Sequence, residues 1–188
     1  LSVYFHRIVA VSRDMREALI NKYGLPHKSV SVIHNGIDIP NVLPSNKKDG
    51  SFAIGSSGRL YPVKDYPLMV GVAWELAKKL DNIRFELAGE GPDRGTLELL
   101  IKEHDLEEIF KLRGFVNDIF SFYQDLDIYI NTSLHEGTPI SILEAMACGL
   151  PVIAPNTGGL KEIIENGSQG YLLASRDPKD FADSCLRL

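Results

Sequence analysis

The chain has 188 residues, 44% hydrophobic and 24% charged, with a formal net charge of −5. That length suits one domain with a fragment of a second, and the composition is that of an ordinary globular protein rather than a disordered or fibrous one. The acidic total argues against a nucleic-acid surface, and no apolar run is long enough to span a bilayer. No signal-peptide pattern is found. Cys148 and Cys185 show no disulfide spacing. Cys148 lies in an apolar helical run and reads as a buried free thiol, so a reducing cytoplasm is the expected setting.

Short β-branched runs alternate with stretches of helical period, which predicts an α/β fold with a Rossmann-like parallel sheet and helices on both faces. In chain order the pattern predicts a strand at Ile8–Val11, a helix at Arg13–Lys22, and strands at Val30–Ile33 and Phe52–Ser56. A helix at Asp65–Leu80, a strand at Ile83–Ala88, a helix at Gly95–His104 and a strand at Phe110–Arg113 follow. The remainder reads as helix Ile119–Gln124, strand Ile128–Asn131, helix Ile140–Cys148, strand Pro151–Ala154, helix Leu160–Glu165, strand Tyr171–Leu173 and a last helix from Pro178. Asp65 is expected to cap its helix through a side-chain oxygen, and Pro139 and Pro178 suit first-turn positions. Asn41–Ser51, rich in Asn, Ser, Lys, Gly and Pro, reads as a linker or long loop.

Two segments carry candidate chemistry. His135 to Pro151 follows a predicted strand directly, so it sits at a strand's carboxyl end, where open α/β sheets bind ligands. Gly137-Thr138-Pro139 leads into a helix whose free N–H groups favour an anion. Glu136 and Glu144 could accept hydrogen bonds from vicinal hydroxyls, although two glutamates at that spacing are also a common accident. In the second segment, Gly55 to Asp65, a strand runs into a Gly/Ser turn followed by Arg59 and Lys64. A guanidinium fork and a mobile ammonium suit a pyrophosphate leaving group, while solvated surface cations are the plainer reading of an isolated Arg and Lys.

An ordered set of motifs makes the reading specific. These are Asn35-Gly36-Ile37-Asp38, Gly58-Arg59-Leu60 with Lys64, Leu87-Ala88-Gly89-Glu90-Gly91-Pro92, Gly114-Phe115-Val116, Glu136 with Glu144, Gly149-Leu150-Pro151-Val152-Ile153-Ala154, Gly158-Gly159, Glu162, and Asn166-Gly167 before Gly170. In this order the chain resembles the carboxyl-terminal half of the group 1 glycosyltransferases (glycosyltransferase family 4), which have the GT-B architecture. The resemblance implies that residues 1–35 are the remnant of an N-terminal lobe and crossover, and that residues 36–188 are a nucleotide-sugar-binding C-terminal lobe. It implies pyrophosphate contacts from Arg59 and Lys64, sugar contacts from Glu136, and ribose contacts from Glu144. Backbone groups around Val116 would meet the base, and those of Gly137 and Thr138 the sugar or phosphates. It implies a retaining hexosyltransferase that needs no metal or other cofactor and uses a UDP- or GDP-linked donor. The acceptor, a glycan or lipid-linked hydroxyl, would be held by the missing lobe. A cytoplasmic protein, with a membrane-surface contact left open for the parent, is expected. The isolated fragment is expected to bind donor without transferring it.

Competing patterns are weaker. Gly89-Glu90-Gly91-Pro92-Asp93-Arg94-Gly95 follows a strand like a dinucleotide fingerprint, but its last interval is one residue too long. An NAD-binding oxidoreductase domain is therefore a poor second. Asp125-Leu126-Asp127 imitates a metal-binding pair but falls at a helix-to-strand turn and reads as structural. His6, His27, His34, His104 and His135 lack zinc-ligand spacing; His135 borders the site, where packing or support of a ligand-contacting neighbour is expected rather than acid–base chemistry. A nucleotide-sugar-binding module without transfer, an epimerase and a phosphorylase are the other readings considered, and no pyridoxal-phosphate lysine motif supports the last.

Overall fold

The computed structural model describes residues 6–39 and 50–188. The predicted linker at Asn41–Ser51 lies, up to residue 49, outside the described residues.

The first unit is small. Strands β1 (Ile8–Ala10) and β2 (Val30–Val32) pair in parallel, joined by helix α1 (Arg13–Asn21). Ala10, Ile20 and Val30 bury one another in its own apolar cluster. Ser12, fully buried, caps α1 by accepting a hydrogen bond from the Met15 N–H at 3.0 Å.

The second unit holds β3 (Phe52–Ser57), α2 (Tyr66–Ala77), β4 (Ile83–Ala88), α3 (Arg94–Glu103), β5 (Phe110–Gly114) and α4 (Ile119–Gln124). It continues with β6 (Ile128–Ile130), α5 (Ile140–Ala147), β7 (Val152–Pro155), β8 (Gly170–Leu173) and α6 (Pro178–Cys185). Its six strands are all parallel, in the order β5-β4-β3-β6-β7-β8. Counted within the sheet this is the doubly wound order 3-2-1-4-5-6, whose direction of winding reverses between β3 and β6. Successive side chains of a strand point to opposite faces, and the core divides accordingly. Ile54, Phe85, Leu87, Ile128, Ile130 and Ile153 pack with α2, α3 and α6 on one face. Ala53, Tyr129, Val152 and Ala154 pack with α4 and α5 on the other. The expected parallel sheet with helices on both faces is thus observed.

Several local expectations are corrected. Asp65 does not cap α2 with its side chain. It adopts a left-handed backbone (φ 47°, ψ 49°), and its carboxylate is taken by the Arg176 guanidinium. The helix starts at Tyr66, with Pro67 in its first turn, and ends at Ala77 rather than Leu80. Pro139 stands one residue before α5 instead of inside its first turn. The helix predicted at Leu160–Glu165 is a 3-10 turn at Gly158–Glu162. Its two glycines run so close to the loop after β6 that a Cβ on Gly158 would lie 1.9 Å from the Glu136 carbonyl oxygen. Cys148 is only half-buried; the buried thiol is Cys185, pushed up to about 12 by desolvation. Asp127 is structural as expected, accepting a 2.7 Å hydrogen bond from the Ala53 N–H.

Candidate functional site

Ligands of such sheets bind where the winding reverses, beyond the carboxyl ends of the strands. A cleft of about 620 Å³ opens there, within the usual range for small-molecule sites. Arg59, Lys64, Val116, Glu136, Thr138 and Glu144 line it, as do Asn35, Ser57, Tyr123 and the start of α5. The loops after β3, β4, β5 and β6 therefore converge, although more than 70 residues separate Arg59 from Glu136 in the chain.

The charged end is built by zipping two loops together. The Leu134 N–H donates to the Val63 carbonyl (2.8 Å), and the Thr132 hydroxyl donates to the Lys64 carbonyl (2.8 Å). Arg176, beyond β8, braces both loops. It donates to the Thr132 carbonyl at 2.6 Å and the Ser133 carbonyl at 3.3 Å, besides its ion pair with Asp65. The result sets Lys64 Nζ 2.6 Å from Glu136 Oε1, to which the Ser133 hydroxyl also donates at 2.7 Å. Both charged side chains are mostly buried, at 21% and 13% exposure. Arg59 is exposed at the mouth, its guanidinium 5.3 Å from the centre of the Tyr61 ring, with no ion-pair partner among the described residues.

The opposite end is built from hydroxyls and apolar groups. Tyr123, on α4, is fully buried; its hydroxyl donates to Glu144 Oε2 at 3.0 Å and lies 2.7 Å from the Ser57 hydroxyl. Tyr129 in turn donates to the Ser57 carbonyl at 3.2 Å. Desolvation, then the neighbouring Tyr129, raises the Tyr123 hydroxyl well above the ordinary phenol value, so it stays a proton donor to the carboxylate. Val116 and Ile119 line this end, with the exposed Phe115 beside them.

The glycine turn after β4 has a structural explanation. A Cβ on Gly89, at φ 145°, would lie 1.9 Å from the Gly58 carbonyl oxygen. Leu60 N–H donates to the Glu90 carbonyl and Gly58 N–H to that of Ala88, both at 2.9 Å. The glycines thus let the loops after β3 and β4 lie side by side.

Gly137 is the one candidate residue that does not line the main cleft. It faces a second cavity of about 370 Å³, shared with His135, Glu136 and residues Ser12, Met15 and Ala18 of the first unit. A Cβ there would come within 2.9 Å of the Val11 side chain and 3.2 Å of the Met15 methyl, so any larger residue would have to push those side chains aside. His135 is exposed at this cavity rather than packed. Thr138 lines the main cleft with its hydroxyl and carbonyl already engaged. Its hydroxyl donates to the Val11 carbonyl at 2.6 Å, and its carbonyl accepts from the Asn35 side chain at 2.7 Å.

A further tie joins the units. Glu162 accepts from the backbone N–H groups of Arg13 and Asp14, both at 3.0 Å, so a carboxylate of the second unit sits on the N-terminus of α1. Burial pushes the Glu162 carboxyl up, but these two hydrogen bonds and His34, 3.9 Å away, outweigh it and leave it below its ordinary value. Among the described residues no cluster of three His, Cys, Asp or Glu side chains is placed to hold a metal, and no helix is long and apolar enough to cross a membrane.

Fold and cleft define a ligand-binding α/β lobe wound like a nucleotide-binding domain. Its family is shown by the sequence. The chain belongs to the glycosyl transferases group 1, whose pattern matches residues 40–188, while that of glycosyltransferase family 4 matches residues 2–40. The 2-deoxystreptamine N-acetyl-D-glucosaminyltransferase of Niallia circulans is 31% identical over 133 residues, covering 70% of this chain and 34% of that protein. Staphylococcus aureus TarM, solved as a mutant with fondaparinux, alpha-GlcNAc-glycerol and UDP, superposes with a TM-score of 0.89 at 26% identity, covering 97% of this chain and 36% of TarM. Anabaena HepE in complex with UDP-glucose superposes with a TM-score of 0.84 at 28% identity, covering 95% of this chain and 52% of HepE. The fold is thus that of GT-B glycosyltransferases, and the chain spans only about a third to a half of the length of such relatives.

Proposed function

We propose that residues 36–188 are the donor-binding lobe of a retaining glycosyltransferase, and that residues 1–35 are a remnant of a first lobe together with the crossover. The observation that carries this reading is the convergence of Arg59, Lys64, Glu136 and Glu144 on one cleft beside the start of α5. A nucleoside diphosphate sugar needs this combination: cations and free helix N–H groups for the phosphates, and carboxylates for sugar and ribose hydroxyls. The complexes of TarM with UDP and of HepE with UDP-glucose support a UDP-linked donor.

In this reading Arg59 and Lys64 hold the diphosphate, Glu136 orients the sugar, and Glu144, aligned by Tyr123, holds the ribose. Backbone around Val116 meets the base, and backbone at Thr138 approaches the sugar and phosphates, whereas Gly137 serves by letting that loop pack on the first unit. During transfer the bond from the sugar's anomeric carbon to the diphosphate oxygen breaks, and its electron pair leaves with the diphosphate. The acceptor oxygen forms the new bond on the same face, and its proton passes to a phosphate oxygen. Arg59 and Lys64 stabilise the charge that grows on the leaving group. The acceptor is a glycan or lipid-linked hydroxyl, bound by the first lobe at the cytoplasmic side of a membrane or in the cytoplasm.

The test is donor consumption by the full-length protein supplied with UDP-, GDP- and ADP-linked hexoses and a panel of hydroxyl acceptors. Acceptor-dependent release of one nucleoside diphosphate, abolished by Lys64→Ala, is the expected result. Neither turnover nor saturable binding of any sugar nucleotide would contradict the proposal.

A further inference from the structure

The ion pair between Lys64 and Glu136 joins two groups that the donor reading assigns to different parts of the ligand. Lys64 Nζ lies 2.6 Å from Glu136 Oε1, and the same oxygen accepts from Ser133. Glu136 Oε2 takes no donor among the described residues. The cation assigned to a phosphate is thus paired with the carboxylate assigned to a sugar.

Lys64 Nζ spends one of its three N–H donors on Glu136, so a phosphate either shares the ammonium and weakens its hold on Glu136 or draws it away. The cost of that exchange depends on the group the phosphate carries. A sugar brings hydroxyls that can donate to Glu136 and replace the lost ammonium. A bare diphosphate brings none. It leaves a mostly buried carboxylate with its ammonium partner weakened and only the Ser133 hydroxyl kept, and its terminal phosphate adds negative charge that the glycosyl ester lacks. Like charges a few ångströms apart in a shielded cleft repel more strongly than in water. Arg59, with no ion-pair partner among the described residues to give up, discriminates far less between the two ligands.

We propose that Glu136 is a specificity-determining residue that selects the sugar-bearing nucleotide over the bare nucleoside diphosphate, by competing with the diphosphate for Lys64. The same competition drives out the spent diphosphate once the sugar has gone, as Lys64 returns to Glu136. This inference rests on the diphosphate assignment above, but it makes a prediction that assignment does not. Removing a charge from the binding cleft should tighten product binding.

The experiment is calorimetric titration of the full chain with UDP and with UDP-glucose, for the wild type, Glu136→Gln, Lys64→Met and the double variant. Glutamine keeps the size of the side chain and an acceptor for Ser133, and thermal melts check folding. Glu136→Gln is predicted to bind UDP roughly threefold to tenfold tighter, with no gain for UDP-glucose, a change on the scale of one partly buried ion pair. In the Lys64→Met background the gain should fall by at least half. Glu136→Asp, which draws the charge back from Lys64, should give a smaller gain of the same sign and serves if the glutamine variant does not fold. Unchanged or weaker UDP binding in Glu136→Gln would overturn the inference while leaving the donor reading intact. A gain of equal size without Lys64 would also overturn it, because repulsion alone would then suffice. Saturable binding of neither ligand by the wild type would overturn the donor reading itself.

Discussion

The two ends of the cleft are held in different ways. At the Glu144 end a carboxylate on a helix is fixed by Tyr123, whose hydroxyl is fixed by Ser57, and every partner belongs to a packed helix or strand. At the Glu136 end the carboxylate stands on a loop and Lys64 ends a 3-10 turn, Pro62–Lys64, and the two pair with each other. The first arrangement is preorganised: Glu144, the proposed ribose acceptor, is already held in place by Tyr123. The second, under the proposed assignment, exchanges partners when a diphosphate binds. A rigid Glu144 end and an exchangeable Glu136 end suit the proposed ligand, whose nucleoside is constant and whose sugar departs.

Substitutions at the two ends should therefore differ in kind. Lys64→Ala is expected to have the largest effect, weakening UDP about tenfold to a hundredfold by loss of a charge-assisted contact, with little change for uridine. Equal losses for both ligands would erase the distinction. Glu144→Ala should weaken uridine and UDP alike, by roughly tenfold, because both carry the ribose. Tyr123→Phe should weaken both in parallel by about threefold to tenfold, the scale of one hydrogen bond, without changing the preference for UDP-glucose over UDP.

The smallest effect lies outside the cleft. Glu162→Gln is expected to cost about 1 kcal/mol in chemical denaturation at neutral pH, the scale of a lost helix cap. Because the folded Glu162 carboxyl titrates below its ordinary value, its contribution is fully present above the ordinary carboxylate range. It is lost as pH falls through the lowered folded value. The variant should thus lose less stability on acidification than the wild type, as read from denaturation midpoints across that range.

The features legible in the sequence were those that depend on neighbours in the chain. The alternation Ile128, Tyr129, Ile130 announces a strand buried on both faces, and the structure divides those residues between its two cores. Arg59, Lys64, Glu136 and Glu144 were found through strand-end loops and an ordered family pattern, and the fold brings them to one cleft. The contacts that hold them were not readable. Arg176 braces the Thr132 carbonyl from 44 residues away, and Glu162 caps α1 across 149. No local periodicity marks such partners. Asp65 looked like a cap because caps are local, yet a distant guanidinium claimed its carboxylate. Tyr123 had one available signal: a hydroxyl-tipped ring on an apolar helix must find a partner when buried.

The central claim is that the cleft at the reversal between β3 and β6 binds a nucleoside diphosphate sugar. Calorimetric titration of the full chain and its Glu144→Ala variant with UDP-glucose, and with NAD as a comparison, tests it most directly. The account predicts one saturable UDP-glucose site, weakened by the substitution, and no comparable affinity for NAD. Preference for NAD, or UDP-glucose binding indifferent to Glu144, would contradict it.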